Sequence, residues 1–160
     1  MARPLTLLLP ILPGTSAGML ATALCYYGPA LDEALSSIGT VHYARTLVFD
    51  RSAPNLQPSL RSEGPFVVGV ITSYDGDFHQ YVQDFVSQVG TIFDALLQFV
   101  VGGKEVTPVA EHVAAFERLI LANDVSQMQP KLFQAYTATV QEVLASLPPL
   151  ETAAEPRAHG

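Results

Sequence analysis

The chain has little that would tie it to a polyanion, a membrane or a metal. Only 14% of its 160 residues are charged, and 8 Lys and Arg against 15 Asp and Glu leave a formal charge of -7. With no basic cluster, neither a phosphate-tracking surface nor an anionic-lipid partner is expected. Cysteine is reduced to Cys25, which excludes an internal disulfide and a cysteine-based zinc cluster. A lone thiol in an apolar helical stretch reads as a small buried hydrophobe. No apolar window approaches the ~20 residues of a membrane span. The motifs of nucleophilic and phosphate chemistry are missing as well. There is no Gly-x-Ser-x-Gly elbow, and Cys25 has no adjacent His or Lys to activate it. Gly102-Gly103-Lys104 lacks the upstream glycine of a phosphate loop. The four histidines have no His-x3-His or facial-triad spacing, so no metal site is expected.

What is present is apolar residue, 49% of the chain, enough for one ordinary domain with a real core. The domain is placed at 1–148 and a mobile polar tail at 149–160. So little charge asks for apolar surface to be covered, in a thick core or at a subunit interface. Met-Ala-Arg before Leu5–Leu12, with Ala21-Thr22-Ala23 beyond, has the outline of a secretory leader. The run is short and broken by Pro10, however, and reads better as a buried first strand of a cytoplasmic protein. Pro10 lacks an amide hydrogen and belongs near the strand's end or on an edge.

Thr15 or Ser16 can cap a helix that runs to about Ile38 and ends at Gly39, with a kink or two abutting helices at Gly28-Pro29. Val41–Phe49 and Phe66–Tyr74 read as an antiparallel pair with no solvent face on either strand. Between them, Asp50–Pro65 is either disordered or folded over something. Asp77 caps the clearest amphipathic helix, from Phe78 toward Gly102. Thr107-Pro108 signals a further helix to about Ala122. Residues 131–136 (KLFQAY) fit a fourth strand or the start of a last helix, and the strand is favoured. Thr137 or Thr139 then opens a last helix that Pro148-Pro149 stops. The order predicts an α+β fold with a ferredoxin-like βαββαβ antiparallel sheet, an added helix before the last strand and a C-terminal helix. Its second sheet face would be hidden by another subunit, as in dimeric α+β barrels.

The polar residues of the two middle strands are the candidates for chemistry. Arg45 is an anchor for a carboxylate or enolate oxygen, or one half of a structural ion pair with Asp75 or an interface carboxylate. His42 is a general base, a metal ligand or hydrogen-bonded scaffolding. His42 and Arg45 lie three apart, so a regular strand turns them to opposite faces unless a bulge intervenes. Asp75 is a proton-transfer group or the turn former of Asp75-Gly76. Tyr43, Tyr74 and Tyr136 are the expected substrate-binding side chains. His79 is expected to face solvent.

The segments VHYARTLVFD, FVVGVITSYDGDFHQYVQDF and FQAYTATVQEVL resemble a bacterial group of ferredoxin-like proteins related to the dye-decolourising peroxidases. The likeness spans roughly residues 5–145 and is specific over His42–Arg45, Tyr74–Gly76 and Phe133–Tyr136. It implies the ferredoxin-like fold and raises a haem-dependent, oxidoreductase-like alternative in which His112 resembles an axial ligand. The Gly-x-x-Asp-Gly haem motif of true dye-decolourising peroxidases is absent, so no cofactor is expected. The expectation is therefore a homodimeric small-molecule enzyme, carrying out proton transfer or oxygenation on a hydrophobic oxygenated substrate between sheet and helices. The alternative is a non-catalytic module that binds a ligand or a partner protein.

Overall fold

Phe66–Asp75 is apolar on both faces and bounded by turn formers, and it takes the centre of the sheet. In the computed structural model, which describes residues 2–132, 134 and 136–148, this strand is β3. It is flanked by β1 (Ala2–Pro10) and β2 (Val41–Asp50) in the order β1-β3-β2, both antiparallel to it. The helices are α1 (Ala17–Ile38), α2 (Phe78–Leu97), α3 (Val113–Asn123) and α4 (Val140–Ser146). The class is α+β, and its β-α-β-β-α order is compatible with a ferredoxin-like fold. Of the expected fourth strand, Phe133 and Ala135 lie outside the described residues. Lys131, Leu132, Gln134 and Tyr136 lie in no strand, and among the described residues the sheet has three strands.

The outer edge of β1 is closed by other means. Ile11 bridges to Val100, Leu7 bridges to Asp124, and the Val101 amide donates to the Pro10 carbonyl. The Ser126 hydroxyl donates to the Pro4 carbonyl. Both strand prolines therefore turn their missing amide hydrogens outward, where no ladder needs them. Asp124 organises this edge. Its Oδ1 accepts from the Thr6 and Ser126 amides, and its Oδ2 from Ser126 Oγ and Gln127 Nε2.

Helices α1 and α2 cover one face of the sheet. Ser16 caps α1 through the Met19 amide, and Gly39 ends it at φ 64°. Asp77 caps α2, accepting from the His79 and Gln80 amides. On the sheet's inner face Leu5, Leu7, Phe66, Val68 and Tyr74 are buried, packed in one cluster with Leu20, Val82, Val109, Phe116 and Ile120. The opposite face carries Leu8 (38% exposed) and Tyr43 (52% exposed) beside half-buried Leu47, Val67 and Ile71. There the Phe49 ring lies over Gly69, where a Cβ would come within 2.8 Å of it.

Several expectations are corrected. Helix α1 runs through Pro29 as one element. Cys25 and Pro29 are exposed, so the carbonyl that Pro29 leaves without a donor lies on the wet side of the helix. The break falls instead in α2, where Val89 has φ -132° and ψ 23°. Cys25 is on the surface rather than buried. Helix α3 starts at Val113, not after Thr107, because the Thr107 hydroxyl donates back to the Lys104 carbonyl and the Val109 amide is taken by Asp94 Oδ1. Of the two readings of the Asp50–Pro65 loop the folded one holds, its residues 51–65 lying over the start of α1. Ala17 N donates to Ser62 O, Arg51 N to Pro65 O, and Asp50 accepts from the Ser52 amide and hydroxyl.

Burial pushes the Asp124 carboxyl up, but its hydrogen bonds from Gln127, Ser126 and Thr6 outweigh that and hold it below its ordinary 3.8. A depressed carboxyl contributes in full above its unfolded value and loses that contribution as pH falls through the folded one. Asp124→Ala should therefore cost about 1–3 kcal/mol at neutral pH. The gap between wild type and variant should narrow as urea titrations are repeated below pH 3.8; a gap independent of acid would contradict this role.

Candidate functional site

The middle of the inner face of β2 is built from short side chains. Ala44 lies opposite Thr72 and Thr46 opposite Val70, and both Ala44 and Thr46 are exposed although they face the helices. Across from them, the second half of α1 presents Leu31, Asp32 and Leu35. Between the two the sheet–helix layer stays open, forming a cleft of about 430 Å³. Its floor is Leu5, Leu7, Val68 and Val70, and its far wall comes from α2 and α3 through Phe85, Phe93, Leu97, Phe116 and Ile120. Only Asp32, Thr46, Thr72 and Tyr81 contribute polar side chains to the lining.

Two of those polar groups, Thr72 and Tyr81, have contacts of their own. Thr72 Oγ1 donates to the Tyr43 carbonyl at 2.8 Å. The Tyr81 ring stacks on Tyr74 at 4.1 Å and meets Phe85 edge-on at 4.9 Å. Burial pushes the Tyr81 hydroxyl well above its ordinary 10.0, with the Thr72 contact opposing. Burial also raises Tyr74. Both phenols are neutral at physiological pH.

The residues expected to act divide into three groups. His42 and Asp75 come together at the end of the sheet, His42 Nε2 lying 3.0 Å from Asp75 Oδ2 without the alignment of a hydrogen bond. Asp75 Oδ2 also accepts from the Val140 amide, so Asp75 fastens the first turn of α4 to the sheet. Tyr74 is buried beneath Tyr81. Arg45, Tyr43 and Tyr136 are exposed, and Arg45 pairs across from Ile71 instead of being half buried. The sheet does have a bulge, at His42 between Val41 and Tyr43. His79 is largely exposed and contacts Glu117 and Gln83, while His112 is the exposed residue preceding α3.

None of the six expected residues lines the cleft. Tyr81 and Thr72, which do, were missed because each sits within an apolar stripe at core spacing. The available signal was a hydroxyl at an inward register position, Thr72 in β3 and Thr46 in β2, since a buried hydroxyl needs a partner. Among the described residues no group of three or more His, Cys, Asp or Glu could hold a metal ion, and no helix is long and apolar enough to cross a membrane. No protein-family model, curated protein or solved structure matches the chain.

Helix α4 buries no residue and is held by the Asp75–Val140 bond, the Gln141 Nε2 bond to the Gly39 carbonyl, and its own Thr139–Glu142 capping box. Asp75→Ala should therefore lower global stability by only ~1 kcal/mol. It should speed amide exchange across Val140–Ser146 well before the sheet responds. Uniform protection of α4 and β3 in that variant would show that Asp75 does something else.

Proposed function

We propose that the protein binds a small apolar molecule in the cleft between β2 and α1, and that binding rather than catalysis is the function of this site. The cleft carries the reading. A volume of about 430 Å³ lies within the ~300–1,000 Å³ of small-molecule sites. In a sealed core, an empty apolar void of that size would cost on the order of 10 kcal/mol at ~24 cal/mol per Å³. That equals the whole stability of a typical domain, about 5–15 kcal/mol. The space is therefore no packing flaw; it is an open cleft suited to an apolar occupant. Its lining holds no histidine, lysine or cysteine, and no carboxylate other than Asp32. His42 and Asp75 are engaged in holding the end of the sheet. The proton-transfer, oxygenation and haem-dependent readings have no comparable support.

A neutral fluorescent probe such as N-phenyl-1-naphthylamine should bind with saturable enhancement. Ala44→Trp, which places an indole in the mouth from an exposed position, should weaken it tenfold or more, on the order of 1.4 kcal/mol. Unsaturable fluorescence, or saturable binding unaffected by the indole, would refute the cleft as the site.

The open sheet face supports a second proposal, a homodimer. Leu8 and Tyr43 are 38% and 52% exposed beside half-buried Leu47, Val67 and Ile71, an apolar surface of the kind a second copy would cover. Sedimentation velocity should give twice the 17.2 kDa chain mass, and Ile71→Lys should return it to the single chain. A particle of one chain at every concentration would rule this out.

A further inference from the structure

Three residues of the cleft lining are exposed, Asp32 on α1 and Ala44 and Thr46 on β2, and they mark where the space opens to water. Asp32 is the one charged residue of the lining, which contains no Lys, Arg or His. Among the described residues its carboxylate has no hydrogen bond or ion pair; only its backbone carbonyl is engaged, by the Ser36 hydroxyl. One turn earlier on the same face of α1 the lining residue is Gly28, where a Cβ would meet nothing within 4 Å. The helix therefore leaves room beside the carboxylate. Arg45 lies between Ala44 and Thr46 in the strand, and alternation puts it on the other face of the sheet, across from Ile71. The mouth of the cleft thus offers a carboxylate and a hydroxyl, and no base.

Resting on the reading of the cleft as a ligand site, we infer that its ligand class is the amphiphile with a cationic head, a protonated amine on an alkyl or ring body. The body fills the inner space between Leu5, Leu7, Val68 and the aromatic side chains of α2 and α3. The head stays at the mouth, where the Asp32 carboxylate is its counter-charge and the Thr46 hydroxyl a further acceptor. Carried inward, the same charge would lose its hydration with nothing to replace it. An anionic head finds no counter-charge at the mouth, meets Asp32 as a like charge, and approaches a chain whose formal charge is already -7. Because Asp32 is exposed, water and salt weaken its pull, so the selection is several-fold and not of many orders of magnitude.

The test is displacement of bound N-phenyl-1-naphthylamine from the full chain at neutral pH by decan-1-amine and by decanoate, which share a chain length and differ in the sign of the head. The amine should displace the probe at about tenfold lower concentration than decanoate, the attraction of one solvent-accessible ion pair together with the repulsion of a like charge. Two variants separate Asp32 from the charge of the whole chain. Asp32→Asn and Glu33→Gln each remove one negative charge from neighbouring exposed positions of α1, but Glu33 does not line the cleft. Asp32→Asn should shrink the amine–decanoate ratio about three- to fivefold, and Glu33→Gln should leave it near the wild-type value. Probe binding by both variants reports that they are folded and that the cleft stands. Decanoate equal to or better than the amine on wild type overturns the inference, as does an amine preference that survives Asp32→Asn or falls equally in Glu33→Gln. If the probe does not bind wild type at all, the ligand-site reading falls and this inference with it.

Discussion

β3 is paired on both edges, but the helices cover the sheet unevenly, and that inequality sets the rest of the structure. Over β1 and the β1 side of β3, large side chains from α2 and α3 close onto Leu5, Leu7 and Val68. Over the middle of β2 the inner positions are Ala44 and Thr46, too short to meet α1. A sheet–helix interface in which one layer falls short of the other cannot pack to ordinary density, and the shortfall becomes the cleft. Both the site and its polarity follow from where the short residues fall in the register.

The edges of the sheet are managed differently. On β1, where an unpaired edge would invite another chain, the Asp124 carboxylate and the Ser126 hydroxyl reach the strand's outer polar groups at Thr6 and Pro4. On β2 the edge beside the cleft carries Tyr43, Arg45 and Thr46 in contact with water. A polar, charged edge discourages strand pairing while leaving the mouth accessible. The His42–Asp75 pair belongs to this same scaffolding. It gathers the end of β2, the end of β3 and the start of α4 at one point.

Much of the fold was legible in the sequence because its signals act over a few residues. Ser16, Gly39 and Asp77 mark helix ends through bonds to amides within one turn or through one backbone angle. The alternation in 41–49 and 66–74 paired these strands as observed. What the pattern could not give was cover. Period-two alternation assigns Arg45 and Ala44 to opposite faces but says nothing of what lies above either one. Both faces of β2 were therefore expected to be dry, and Tyr43 through Thr46 proved exposed. Thr107-Pro108 failed for a related reason: a capping residue has several possible partners, and the Lys104 carbonyl behind it competed successfully with the helix ahead. The cleft was illegible because it is made of absent volume, contributed by residues from β2 and α1 that no local window brings together.

The central claim is that the space between β2 and α1 receives an apolar molecule. Methyl-resolved NMR with a neutral amphiphile such as decan-1-ol tests it most directly. Saturable shifts confined to Leu31, Leu35, Ala44, Thr46, Val70 and their neighbours in the lining are the result this structure requires. Shifts gathered instead on Leu8, Leu47, Val67 and Ile71, with the cleft methyls unmoved, would contradict it.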